Sequence, residues 1–572
     1  MIEPHSGGTA AIKSPPQLKA PERAVARASW LQFAVLAAML ATIFALFQYP
    51  LRRISSDSEI NFVEGWNAYR QQFAREGAPL YGAPPDLLTG NTNYPPLSFH
   101  LVNLLSFHGD LVRTGRWISL FSLLATGLLV GLIVRELGAD SLIAAFATLL
   151  YILGISVFLP DRIGMDDPQL LAETFTTAGL YLYVRARNRS APGPPAVWAS
   201  AVPWLLCASA LAFCVAGFTK HNLLAFPAAV ALDLLLRSRR QFMIWCAAMI
   251  AFAAILLGLT FAIDGRYFFQ HLVSHRAFSW DNALTSITRF YLATFQGVML
   301  VAMVWSLCRF RARPLLVAAF VFANGLACLL VGGDGVDLNI FFNGLAAAII
   351  VCGAVLAELE SVSIIPADAL SSGAPPALGA PPFSALFAER VGTSRTSGLR
   401  TTGAPSFSPS FGERVGVGMG KTAAVALMLA LFLGTALRVP ERLREGHLRG
   451  ELMADDDAGF RAAADLLRAT PGPALCESLL LCYRAGKPYT FDTYTAIEEI
   501  KSHHTDQDAS LPVLRSRHFS VIQLDAIPGE AMSQPATIFR NRSRFTPAFV
   551  DTLMENYRLA LRTSHFLIFL PK

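Results

Sequence analysis

The chain has 572 residues, 53% of them hydrophobic and only 15% charged, against the roughly one-quarter charged content of soluble domains. Its mean hydropathy of +0.44 and its long continuous apolar runs exclude a soluble globule, and the lack of in–out alternation excludes a membrane β-barrel. The formal charge of +6 sits largely on arginines at the ends of those runs, a membrane pattern with no nucleic-acid partner implied.

The first apolar run, Trp30–Pro50, is long enough to span a bilayer and lacks the small-residue cleavage site of a signal peptide. Further runs follow at Trp117–Val134, Ser141–Leu159, Gln169–Val184, Trp198–Gly217, Leu223–Leu236 and Phe242–Ile263. Phe290–Leu307, Leu315–Val331, Ile340–Leu356 and Ala423–Leu437 complete a set of about eleven predicted spans. Arginine triplets at 185/187/189, 237/239/240 and 309/311/313 then share one side with the N-terminal Lys13, Lys19, Arg23 and Arg27. The positive-inside rule makes that side cytoplasmic. The loops 51–114, 160–168, 218–222, 264–289 and 332–339 and the C-terminal region fall on the outer side.

The expected fold class is an α-helical polytopic membrane protein with a small C-terminal soluble α/β domain. Residues 1–29 read as a cytoplasmic tail, and 30–357 as a transmembrane module with its first outer loop at 51–114. Residues 358–421 are rich in Pro, Gly, Ser and Ala and nearly repeat 383–392 at 407–416, the composition of a flexible cytoplasmic insertion. Residues 422–439 carry the last span and 440–572 an extracytoplasmic domain. Helices are predicted near Asp457–Ala469 and Pro547–Leu559, the second with Thr546 as N-cap, and strands at Ser520–Leu524 and His565–Leu570.

In the first outer loop Phe62, Trp66, Tyr69 and Phe73 recur at helical spacing, which predicts an amphipathic helix lying on the membrane or packed on protein. Tyr94–Phe107 is apolar but about half a span long, an interfacial helix. Six cysteines lie in predicted spans or at a span's end and read as small packing residues. Cys476 and Cys482 lie in the exported domain, where either a disulfide or two free thiols fits.

The outer loops carry the chemistry. The first gives Asp57, Glu59 and Tyr94, the second Asp161, Arg162, Asp166 and Asp167, and the third Thr219-Lys220-His221-Asn222. The fourth gives His271, His275, Arg276 and Asp281, the fifth Asp334, Asp337 and Asn339. A carboxylate at the membrane face can serve as general base toward a hydroxyl, and a Lys–His pair at that level can neutralise a phosphate. Each has a plainer reading: solvated loop acids for Asp57 and Glu59, helix capping for Asp166 and Asp167, snorkelling for Lys220, and surface histidines for His271 and His275. The conjunction on one face favours a transferase. A transporter or lipid flippase is the alternative, although Asp233 is the clearest acid inside a predicted span and no repeat of spans is seen.

An acidic loop after the first span, an amphipathic helix, Tyr94-Pro95-Pro96-Leu97, the acidic stretch 161–167 and Thr219-Lys220-His221-Asn222 together resemble the GT-C-type integral membrane glycosyltransferases. That group includes protein O-mannosyltransferases and lipid A aminoarabinose transferases, and the likeness covers roughly residues 30–360 of the sequence. The resemblance implies a polyprenyl-phosphate sugar donor used from the outer face of a bacterial plasma membrane. Transfer would go with inversion to a hydroxyl of a glycan, lipid or protein. It further implies that Asp57 or Glu59 is the catalytic base; the family's adjacent Asp-Glu pair is interrupted here by Ser58. Asp166 or Asp167 would orient the acceptor or bind a divalent metal (Mg or Mn), and Lys220, with His221 and Tyr94, would meet the donor phosphate.

Overall fold

Long apolar sequence dictates long helices, because a backbone in lipid must satisfy its own hydrogen bonds. The computed structural model describes residues 20–82, 92–190, 201–273, 277–361, 412–496, 510–526 and 545–572. Nearly all of the expected insertion at 358–421, most of the tail at 1–29, and His275 and Arg276 lie outside the described residues. In chain order the helices are α1 (Ala20–Ile54), α2 (Val63–Glu76), α3 (Leu97–Leu105), α4 (Leu111–Glu136), α5 (Ser141–Phe158), α6 (Pro168–Arg189) and α7 (Val202–Thr219). Next come α8 (Ala225–Arg237), α9 (Arg239–Ile263), α10 (Phe268–Leu272), α11 (Trp280–Thr288), α12 (Gln296–Arg309), α13 (Pro314–Leu330) and α14 (Phe342–Ser361). Past residues 362–411 come α15 (Gly412–Ala436), which begins inside the stretch expected as an insertion, and α16 (Val439–Ala469), then α17 (Leu479–Arg484), α18 (Ser510–Arg515) and α19 (Pro547–Asn556) among four strands.

Seven of these helical stretches are long and apolar enough to cross a membrane, or eight if the pair bent by 94° at Phe295 is one span. The chain is therefore a multi-pass membrane protein. A helix stands at every one of the predicted positions, but beside the bent pair, which passes only as one span, three fall short of the test. α6 carries Gln169, Glu173 and three arginines, while α8 and α13 have 13 and 17 residues, below the roughly 20 a perpendicular span needs.

Contacts divide the chain into two units. Met1–Val35 with Leu356–Leu429 form the smaller, where Gln32 Nε2 donates to Glu360 Oε1 at 3.0 Å. Leu36–Val355 with Ala430–Lys572 form the larger.

Within the larger unit the C-terminal region builds a four-stranded sheet in the order β1-β2-β4-β3, from β1 (Ala474–Cys476), β2 (Val521–Asp525), β3 (Tyr557–Arg562) and β4 (Phe566–Pro571). β1 runs parallel to β2, and the remaining pairs are antiparallel. Side chains alternate across it. Leu475, Ile522, Leu524, Leu567 and Phe569 face α18 and α19, whereas Cys476, Val521 and Ile568 face α16 and α2. The helix of the first loop is thus packed on protein and does not lie bare on the membrane: Glu64 to Gln71 are all buried. Gly65 makes this possible, since a Cβ there would lie 2.1 Å from the backbone nitrogen of Leu480. Cys476 and Cys482 form a disulfide around this contact, resolving the choice left open by spacing. The predicted strands match β2 and β4. The predicted helix at 547–559 stops at Asn556, where Tyr557 turns into β3.

Candidate active site

A cavity of about 710 Å³ opens among the loops of the larger unit. Its lining is part apolar, with Leu272, Phe278, Leu330 and Ile340, and part polar, with Tyr94, Arg162, Asp167, Lys220, His221 and Asn339.

Local sequence fixes each polar group. Asp167 precedes Pro168 and caps α6, accepting the Gln169 N–H at 2.8 Å. Lys220 ends α7, and its Nζ lies 3.3 Å from Asp167 Oδ1 and 4.7 Å from the Tyr94 ring centre. Asn339 Nδ2 donates to Asp167 Oδ2 at 3.1 Å, and Arg162 stands 3.6 Å from that oxygen while also pairing with Asp337. Burial alone would raise the Asp167 carboxyl, but Lys220 and Arg162 outweigh it and hold the group below its usual range. Burial likewise works against the Lys220 ammonium, yet Asp167 and Tyr94 keep its pKa above normal. The pair is ionised.

The adjacent acid behaves oppositely. Asp166 is buried, and that burial, reinforced by the charges of Glu64 and Asp167, pushes its carboxyl well up despite hydrogen bonds from Gln71 at 2.8 and 3.0 Å. Gly115 leaves room for it: a Cβ there would stand 2.1 Å from Asp166 Oδ1. Neighbouring carboxyls driven apart in this way take different roles.

Of the residues singled out from sequence, Tyr94, Arg162, Asp167, Lys220, His221, Asn222, Asp337 and Asn339 come together on the cavity wall. Asp57, Glu59 and Asp166 do not line it. Asp57 is held by Arg113 at 3.2 Å and Arg461 at 3.1 Å, tying α4 to α16. Glu59 accepts from the Ser478 hydroxyl and from the Gly65 N–H at 3.1 Å. Burial, then the nearby Asp525 and Glu64 charges, pushes its carboxyl up to about 8. The two acids that the resemblance offers as the base thus each reach the C-terminal domain, Asp57 through Arg461 and Glu59 through Ser478. His271 is buried, with Nδ1 accepting from Thr92 N–H at 3.1 Å.

Sequence reasoning missed the pair beneath the site. Arg116 grips Glu64 through two hydrogen bonds of 2.9 and 2.7 Å, with both side chains fully enclosed. Arg116 also donates to the carbonyls of Ser56 and Ser58 at 2.7 Å, and Glu64 accepts the Asp166 N–H at 2.9 Å. One ion pair thus fastens the loop after α1 to the segment that ends in Asp167. An arginine directly before the apolar run Trp117–Val134 was the available signal.

A divalent metal does not fit this donor set. Among the described residues no three His, Cys, Asp or Glu groups gather to hold one. The cavity carboxylates Asp167 and Asp337 already face Lys220 and Arg162, whose charges oppose a cation.

The helical module, its loops and the appended α/β region together form a fold that solved membrane proteins share. Among solved structures the chain is similar to ArnT from Cupriavidus metallidurans in the apo state, at 14% identity and a TM-score of 0.52, covering 95% of this chain and 98% of that one. It is likewise similar to ArnT from the same organism bound to undecaprenyl phosphate, at 15% identity and a TM-score of 0.51, with the same coverage. The likeness bears out, at the level of the fold, the resemblance carried by the sequence motifs. It also extends that resemblance past residue 360 into the C-terminal domain. No protein-family model matches the chain, and no curated protein does.

Proposed function

We propose that the protein is a membrane glycosyltransferase that moves a sugar from a polyprenyl phosphate to a hydroxyl of a glycan, lipid or protein acceptor. The observation that carries this reading is the ionised Lys220–Asp167 pair on the wall of a cavity that apolar residues also line. The fold shared with a protein that binds undecaprenyl phosphate supports it. The apolar lining suits the first prenyl units, and the polar lining suits the phosphate and sugar.

The donor is a phosphodiester with one negative charge. As the acceptor oxygen attacks the anomeric carbon from the far face, the bond to the phosphate oxygen breaks and its electron pair leaves with the polyprenyl phosphate. The configuration inverts. Lys220 and Arg162 stabilise the charge that grows on the leaving phosphate, the kind of preorganised electrostatic help worth about 10²–10³ in rate per donor. The acceptor proton passes to Asp167. That carboxylate takes the base role in place of Asp57 and Glu59, and as Lys220 turns toward the phosphate its proton affinity rises.

The orientation proposed is N-terminus inside, with all eleven apolar stretches crossing and the catalytic loops and residues 440–572 outside a bacterial plasma membrane. The arginine triplets support it, as does the Cys476–Cys482 disulfide, which suits an oxidising compartment. Residues 358–421 are then a cytoplasmic insertion. A transporter or flippase finds no matching observation, because the charges of the cavity come from loops and helix ends. Membranes containing the protein, incubated with radiolabelled polyprenyl-phosphate sugars, should release label into an acceptor fraction. No release beyond that of Lys220→Met membranes would count against the assignment.

A further inference from the structure

Glu173 lies in the second turn of α6, and its side chain is fully enclosed. An acid inside a membrane helix is costly to bury, and such groups mark working parts of membrane proteins. Two side-chain amides meet it. Gln169 Nε2 donates to Oε1 at 3.0 Å, and Asn343 Nδ2 donates to Oε2 at 3.1 Å. Asn343 stands in the first turn of α14, four residues after Asn339 in the 3₁₀ turn Leu338–Phe341.

Two rungs therefore join the same two segments. One runs from Asn339 to Asp167 Oδ2 at 3.1 Å, the other from Asn343 to Glu173. Gln169 ties the rungs together on the α6 side, with its backbone N–H on Asp167 Oδ1 at 2.8 Å and its side chain on Glu173. The rung at Asp167 borders the cavity, where water competes and a hydrogen bond is worth only about 1 kcal/mol net. The rung at Glu173 is buried at both ends, so a partner lost there leaves a group unmet in a low dielectric. The enclosed rung is the one that sets the register.

We infer that Glu173 is a positioning residue for sugar transfer, holding the start of α14 against α6 so that Asn339 meets Asp167. The inference rests on the reading of Asp167 as the base. The N–H of Asn339 fixes the plane of that carboxylate and favours its charged form. Without it the carboxylate swings away from the acceptor and its proton affinity rises.

The test is transfer from radiolabelled polyprenyl-phosphate sugars by the purified full chain, followed against pH in Glu173→Leu, Asn343→Leu and Glu173→Gln. Glu173→Leu should lower kcat about tenfold or more, as a displaced reacting group does. It should also move the acid limb of the pH profile upward and leave affinity for undecaprenyl phosphate unchanged. Asn343→Leu should do the same, and the double variant should be no worse than either, since both cut one link. Glu173→Gln should restore most of the rate. A glutamine there accepts from Gln169 and, once the Asn343 amide turns over, donates to Asn343 Oδ1, which is enclosed with no hydrogen-bond partner. Tyr94, Arg162, Asp166, Lys220, His221 and Asp337, the other titratable groups about Asp167, are present in every variant, so the limb reports the Asn339 bond. If Glu173→Leu folds poorly, Asn343→Leu carries the test. A wild-type rate and pH profile in either folded leucine variant, or a Glu173→Gln as slow as Glu173→Leu, overturns the inference. No transfer by the wild-type chain overturns the reading of the function itself, and the role of Glu173 falls with it.

Discussion

Lys220 Nζ stands 3.3 Å from Asp167 Oδ1, joining the end of α7 to the start of α6 at one wall of the cavity. The two residues lie more than fifty positions apart in the chain, and each holds the other ionised. Replacing Lys220 with Met removes the cation from the leaving phosphate and strands the Asp167 carboxylate. Sugar transfer should fall about 10²-fold or more, and donor-lipid binding should weaken with it. Full transfer by a folded Lys220→Met protein would remove the lysine from the chemistry.

Glu59 gives a pH dependence of stability with a definite sign. Burial lifts its carboxyl from the ordinary 4.5 to about 8, so the folded chain keeps a proton that the unfolded chain has lost. That contribution is complete below pH 4.5 and is lost as the pH rises through about 8. The Tm of the wild-type protein should fall between pH 6 and 9, and Glu59→Gln should flatten the fall. An equal slope in both proteins would show that Glu59 ionises freely.

The Arg116–Glu64 pair should be costly to break from one side. Arg116→Met leaves the Glu64 carboxylate buried without its partner, a loss of about 3–5 kcal/mol. Changing both residues to Met should recover part of that loss. Thermal denaturation followed by size-exclusion chromatography separates the outcomes, and a double variant no more stable than Arg116→Met would mean that the two side chains act independently.

Much of this was legible in the sequence. Apolar run length located a helix at every predicted span, and Tyr94, Asp167, Lys220 and His221 were singled out by residue type and loop phase alone. The contacts of Asp57 and Glu59 were not, because loop position does not say which carboxylate is already paired. Their partners, Arg461 and Ser478, lie some four hundred residues away in a domain with no local link to the first loop. The docking of α2 was hidden for the same reason. An aromatic stripe of Trp66 and Tyr69 serves equally against lipid or against the Leu479–Leu481 turn.

The orientation is open to direct labelling. Single cysteines at positions 57 and 220, in a background lacking the six free cysteines, should react with an impermeant maleimide from the periplasmic side. Cys476 and Cys482 should stay unreactive until reduced. Labelling of 57 and 220 from opposite sides would break the proposed topology.

The most direct test of the cavity as the donor site is photocrosslinking with an undecaprenyl-phosphate sugar that carries a photoreactive group beside the phosphate. Peptide mapping should place the adducts on segments containing Tyr94, Lys220 and Ile340. Adducts confined to the Asp57–Glu59 turn or to the C-terminal domain, or none above a phosphate-free lipid control, would contradict the account.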